Sequence, residues 1–254
     1  MTISYGNFLT ATAASGVIGG LVLVCAVATH AEVETEATET VTSTAPPVSV
    51  DLAFKTHLDM GLAEQDVFIE REPGSGDVYR VTVGDNDMGA TLYKAAVHVP
   101  HDPFSDAAIG PYPRGESTGM TLGQWLRHAG KGTYTCENGE GKLDISFTGL
   151  VPDGVYTMWH AFMALPPPVP FTGTLDVPLG ARDGSESVFV ATGDGTAAFE
   201  HTFTPCLQMS DVWTTSMLAI NWHSDGKTYG GHPGSFGDVA HIPLFVMLPA
   251  REGI

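Results

Sequence analysis

From about residue 48 onward, apolar and polar positions alternate in short runs. Val78, Arg80 and Thr82 alternate with Tyr79, Val81 and Val83, and Leu143, Ile145 and Phe147 alternate with polar neighbours. A period of two sends every second side chain to the same face, which predicts half-buried strands. On this pattern, or as short apolar runs, residues 67–69, 78–83, 92–99, 132–137, 142–148, 155–163, 187–192, 196–203, 212–223 and 242–248 read as strands. The run 212–223 is the most apolar of the domain and reads as a central strand. Asn138-Gly139 predicts a tight hairpin, and Gly193-Asp194-Gly195 predicts a second one joining 187–192 to 196–203. Residues 100–119, punctuated by Pro100, Pro103, Pro111, Pro113, Gly110, Gly115 and Gly119, read as a long loop. Thr121-Leu-Gly-Gln124 is a capping box that opens a short helix over 122–128, stopped by Gly130. The fold class expected is all-β: an antiparallel β-sandwich or Greek-key barrel with one short helix.

The first fifty residues follow another pattern. Residues 8–29, FLTATAASGVIGGLVLVCAVAT, carry no charge. As a helix, this run of 22 residues is about 33 Å long, enough to cross the ~30 Å hydrocarbon core of a bilayer. The segment before it, MTISYGN, has no Lys or Arg, unlike the basic start of a secretory signal. Residues 1–30 therefore read as a retained transmembrane anchor. The alternative is a signal segment cleaved after Ala28 or Ala31. Thr12, Gly16 and Gly20, four apart, lie on one helical face, where small residues admit a second transmembrane helix. Residues 31–50 are Glu/Thr-rich and then Pro-containing, an extended acidic linker. Residues 51–254 form the domain, large enough for a sizeable core.

Charge narrows the partners. Acidic residues outnumber basic ones 29 to 11, for a net charge of −18. That argues against nucleic acid and against docking onto anionic lipid. It suits solubility, or a cationic partner such as a basic electron carrier. Of three cysteines, Cys25 lies in the apolar run. Cys136 and Cys206 are expected to pair in an oxidising compartment, periplasmic or at the cell surface. No C-x-x-C occurs, so neither a dithiol redox motif nor a zinc ribbon is expected.

The candidate chemistry lies in the histidines. His160 and His223 end strand-like runs, and His232 and His241 follow at nine-residue steps. Neutral imidazoles converging at one end of a β-barrel could hold copper or zinc. The stretch NWHSDGKTYGGHPGSFGDVAH resembles the metal loop of copper/zinc superoxide dismutases, an antiparallel Greek-key barrel. The resemblance covers about 20 residues. The His-x-His pair of that family is missing: His98 and His101 are three apart and His160 stands alone. Asp238 is available as a zinc ligand. A broader resemblance, over residues 115–248, joins GTYTCENGEGKLDISFTGLVPDGVYTMWH, HSDGKTYGGHPG and HIPLFVMLP to an uncharacterised group of secreted β-sandwich proteins. It implies fold and export, and no activity. Gly115-Glu-Ser117-Thr-Gly119 matches a nucleophile-elbow pattern, but no strand-turn-helix context is expected around it. Asp85, Asp87 and Asp225 sit in glycine-containing turns, and turn chemistry accounts for them. Trp159, Trp213 and Trp222 lie in or beside strands and are expected in the core.

No complete catalytic constellation emerges. The expected role is binding: a membrane-anchored, extracytoplasmic, non-catalytic accessory or structural subunit that meets other membrane-protein subunits, for example in a photosynthetic or respiratory complex. The alternative is a copper- or zinc-binding protein for electron transfer or metal delivery, using His160, His223, His232 and His241.

Overall fold

The computed structural model describes residues 47–62, 66–100, 102–105 and 109–250, all within one unit, Ser43–Ile254. The apolar N-terminal run with Thr12, Gly16, Gly20 and Cys25, the linker up to residue 46, and His101 lie outside the described residues. Among the described residues no helix is long and apolar enough to cross a membrane.

The fold is all-β, antiparallel throughout its strands, with one short α-helix. A four-stranded sheet runs in the order β1 (Val48–Ala53), β6 (Ala129–Glu137), β7 (Glu140–Thr148), β11 (Ala197–Phe203). A second sheet centres on β8 (Val155–Ala164) and β12 (Thr214–His223), with β13 (Ala240–Met247) beyond β12. Two short strands, β9 (Leu175–Pro178) and β10 (Val188–Val190), share the free edge of β8. Four short strands, β2 (Phe68–Ile69), β3 (Asp77–Arg80), β4 (Thr91–Ala95) and β5 (Tyr112–Thr121), close into a small barrel.

Alternation dictates how the two sheets meet. Leu143, Ile145 and Phe147 of β7 turn to the same face as Tyr134 of β6, and all are buried. Tyr156 and Met158 of β8, Leu218 and Ile220 of β12, and Leu244 and Val246 of β13 share one core with them. An aromatic stack ties the layers together. Phe189 lies between Phe147 and Tyr156, 5.4 Å from each ring and nearly parallel to both. The edge opposite β11 is stitched as well: Lys55, just past β1, exchanges backbone hydrogen bonds of 2.8 and 2.9 Å with Phe245 of β13.

Several expected elements are found. Asn138-Gly139, both at positive φ, makes the tight turn between β6 and β7. β12 is central, between β8 and β13. The capping box is complete: Gln124 donates its backbone N–H to Thr121 Oγ1 and accepts the Thr121 N–H through Oε1. Its helix, α1 (Leu122–Trp125), is a single turn, and Gly130 lies inside β6.

Two expectations are corrected. Residues 112–121 are a strand, β5. Their prolines and glycines are accommodated by bulges, since Thr91, Tyr93 and Ala95 face Thr121, Ser117 and Arg114 in uneven steps. Ser117 therefore sits in a strand and on no elbow. The turn at 193–195 joins two layers and makes no hairpin: β10 pairs with β8, whereas β11 pairs with β7. Locally the turn is hairpin-like, with Thr192 donating its N–H to the Thr196 carbonyl at 2.8 Å. The decision is made elsewhere, where Ala191 donates to the Gly154 carbonyl and holds β10 on β8.

One buried ion pair fastens the small barrel to the second sheet. Arg80 Nη1 lies 2.9 Å from Asp66 Oδ1, and both side chains are fully buried. Arg80 Nη2 donates to the Pro100 carbonyl at 3.0 Å, and the guanidinium sits over the Phe68 ring. Asp66 Oδ2 accepts from the Ile242 N–H in β13 at 3.4 Å.

Arg80→Met leaves a buried carboxylate without its cation and is expected to cost about 3–5 kcal/mol by urea denaturation; a loss below about 1 kcal/mol contradicts this role. Cys136 and Cys206 form the expected disulfide, across a sequence separation of 70 residues. In the chain-entropy model such a loop is worth about 4 kcal/mol, so a reducing agent should lower the unfolding free energy extrapolated to zero urea by about that amount, and an unchanged value would count against it.

Candidate functional site

The histidines are distributed over both faces of the second sheet. His160 shares by alternation the inner face of Met158. Its Nε2 lies 2.7 Å from Ser216 Oγ and 3.2 Å from the Gln208 carbonyl. Burial pushes it down to about 4. His241, fully buried on β13, donates through Nδ1 to the Asp66 carbonyl at 2.7 Å, and its Nε2 lies 3.1 Å from Ser224 Oγ. Burial lowers its pKa too. His223 is buried at the end of β12, with Nε2 2.8 Å from Thr157 Oγ1. Desolvation lowers its pKa, partly offset by Asp225. Its Nδ1 is buried without a hydrogen-bond partner among the described residues. His232 sits in the loop after β12, half-exposed. Among the described residues no group of three or more His, Cys, Asp or Glu is placed to share a metal ion.

A further buried histidine escaped the sequence reading. His128 donates from Nδ1 to the Trp125 carbonyl at 2.5 Å, and the Tyr156 hydroxyl lies 3.4 Å from its Nε2. Burial lowers His128 to about 4. That hydroxyl accepts the Val151 N–H, so its own proton is directed at Nε2, which requires a neutral ring.

The outer face of the second sheet carries a different feature: a cavity of about 390 Å³. Its floor is made by β8 and β12. On β12 the residues facing out are Met217, Ala219, Asn221 and His223, and on β8 they are Met163, Ala161, Trp159 and Thr157. Register sets Met217 beside Ala161, Ala219 beside Trp159, and Asn221 beside Thr157. The two alanines leave room where neighbouring positions carry large side chains. Phe104 and Phe171, edge to face at 5.3 Å, border the hollow from two loops. One end is therefore apolar and the other polar. The polar end is a hydrogen-bonded row: Trp159 Nε1 donates to Thr157 Oγ1 at 2.7 Å, which in turn meets His223. Asn221 lies beside this row, 2 % exposed, and lines the cavity. No motif flags the cavity. Its signal is the pair of alanines that share a face only once the strands are in register.

Two of the tryptophans behave as expected, with Trp159 and Trp222 buried. Trp213 does not: it is 74 % exposed, beside Val212 at 73 %. Its position is fixed by Asp211, whose Oδ1 accepts the N–H groups of Trp213 and Thr214 at 2.8 and 2.7 Å. The turn aspartates are likewise structural. Asp85 accepts from Thr82 and pairs with Arg71, and Asp225 accepts from Lys227 and Tyr229.

The fold and this hollow sheet face define an all-β protein with a ligand-sized cavity. Comparison with known proteins adds no relative: no family model, curated protein or solved structure matches the chain.

The buried histidines carry a pH signature. His160 titrates near 4 folded and near 6.5 unfolded, so the unfolded chain takes up the proton first. Its contribution to stability is complete above about pH 6.5 and is lost as pH falls toward 4. Between pH 6.5 and 4.5 the wild type should lose about 1–3 kcal/mol more than His160→Gln, measured by urea denaturation; parallel pH profiles would remove His160 as the cause.

Proposed function

We propose that this chain is a non-catalytic accessory or structural subunit of a larger membrane protein complex. Its β-sandwich domain stands outside the cytoplasm, and the apolar residues 8–29 hold it at the bilayer. The observation that carries the reading is the exposed pair Val212–Trp213. Trp is the residue most enriched at interface hot spots, and here the Asp211 turn presents it in a fixed position, so little ordering cost remains on docking. The same end of the second sheet exposes more apolar surface. Thr214 pairs with Ala164, Leu175 pairs with Phe162, and the loop between carries Val169, 97 % exposed. Grouped exposed apolar side chains mark interaction surfaces.

Three further features support the reading. The Cys136–Cys206 disulfide belongs to an oxidising compartment. The sequence spaces Thr12, Gly16 and Gly20 four apart, the small-residue spacing that suits a neighbouring transmembrane helix. The buried histidines are engaged in hydrogen bonds that hold strands and loops together. The net charge of −18 favours a basic surface on any soluble partner, such as an electron carrier.

The test is the intact mass of the full chain taken from native membranes in mild detergent, with its companions. A mass that includes residues 1–30 and stable companion subunits is expected. Trp213→Ala should weaken that association by about 30-fold, the effect of a typical hot spot. A mass beginning near Thr29 with no companions overturns the proposal, and companions indifferent to Trp213→Ala overturn the docking surface.

A further inference from the structure

We infer that the cavity on the outer face of β8 and β12 is a binding site for a small, uncharged, largely apolar molecule carrying one hydrogen-bonding group, a hydroxyl, carbonyl or amide. The inference is independent of the docking proposal.

Three observations carry it. The first is size and lining: about 390 Å³ lies within the range of small-ligand pockets, which are mostly apolar with few polar groups. Met163, Met217 and Met247 contribute conformable thioethers, and Phe104, Phe171 and Phe245 contribute rings. Such a lining adapts to aliphatic or aromatic bodies.

The second is Asn221. A primary amide has two donors and an acceptor. Asn221 is 2 % exposed and lines the cavity. Its cross-strand neighbour, Thr157, is already engaged by Trp159 and His223. The amide is therefore a polar group on the wall of an otherwise mostly apolar hollow, where it can meet a ligand. Because it both donates and accepts, it recognises a neutral hydroxyl, carbonyl or amide.

The third is charge. Asp176 faces Ala161 across β9 and lines the same cavity, its Oδ1 accepting the Thr174 hydroxyl at 2.7 Å. Beside this carboxylate the described lining has one imidazole, His57, and no Lys or Arg. An anionic head group, such as that of a fatty acid, would meet a carboxylate in a poorly solvated space. The ligand is therefore an alcohol, ketone, ester or amide with an apolar body, and not an acid.

The experiment compares three probes of one shape: 1-naphthol, 1-methylnaphthalene and 1-naphthoate. Each is titrated calorimetrically into the full chain in lipid nanodiscs, with empty discs as the blank. Saturable one-to-one binding of 1-naphthol is expected, with 1-naphthoate at least about tenfold weaker. Asn221→Leu should weaken 1-naphthol by about 3- to 10-fold, one hydrogen bond's worth, and leave 1-methylnaphthalene unchanged. Ala219→Leu, which fills the floor, should abolish binding of all three. No binding above the blank, equal binding of naphthol and naphthoate, or binding that survives Ala219→Leu each overturns the inference. A folded Asn221→Leu that binds 1-naphthol as wild type does so too.

Discussion

The Asp66–Arg80 pair is the constraint on which the arrangement rests. Burying two full charges is expensive, and hydrogen-bond partners for the remaining donors and acceptors offset part of the cost. Those partners come from separate parts of the chain. Arg80 belongs to the small barrel, the Pro100 carbonyl to the loop after β4, and the Ile242 N–H to β13. The backbone of Asp66 adds a fourth contact by accepting the His241 Nδ1 proton. The pair is therefore stable only when the barrel sits against the end of the second sheet. An apolar contact of the same area would tolerate sliding, whereas a charge pair with directed hydrogen bonds tolerates one docking geometry.

That docking has consequences for the cavity. Pro100 and Phe104 border the hollow, and Ile242 lines it from β13. The contacts that Arg80 and Asp66 make with Pro100 and Ile242 thus also place two walls of the space above Asn221. The inner face of the same sheet is treated oppositely. Phe147, Phe189 and Tyr156 fill it by stacking at 5.4 Å, as interiors packed at crystal density do. One sheet thus has a closed face that supplies stability and an open face that supplies volume.

Much of this was legible in the sequence, for physical reasons. β6, β7, β8 and β12 follow from alternation and from Asn138-Gly139, where side-chain chemistry alone selects the turn. The Thr121 capping box and the Cys136–Cys206 disulfide were equally local or unique. β5 was hidden because Pro113, Gly115 and Gly119 read as loop, and the strand pairs with β4 only in uneven, bulged steps. The corner at 193–195 was hidden because a turn between layers uses the residues of a hairpin turn. β9 was missed because four residues ending in Pro178 carry almost no periodicity. For the site, the nine-residue spacing of His223, His232 and His241 says nothing about faces. The cavity left no motif: β12 is apolar on both faces, and Ala161 and Ala219 become a hollow only when Met217 pairs with Ala161.

The open face also runs against the economy of folding. Filling the space above Ala161 and Ala219 with larger side chains would bury more apolar area, at roughly 25 cal/mol per Å². That filling is absent, although the fold already bears two buried charges and several buried neutral histidines. Local choices that oppose stability are concentrated at functional sites, because there the interaction that compensates them is made by something outside the chain. Here the compensation has a defined form. An apolar body would restore the missing contacts along Met217 and Phe245, and a single neutral polar group would meet the Asn221 amide on the same wall. One molecule would make both contacts at once, which ties the volume and the amide to one ligand.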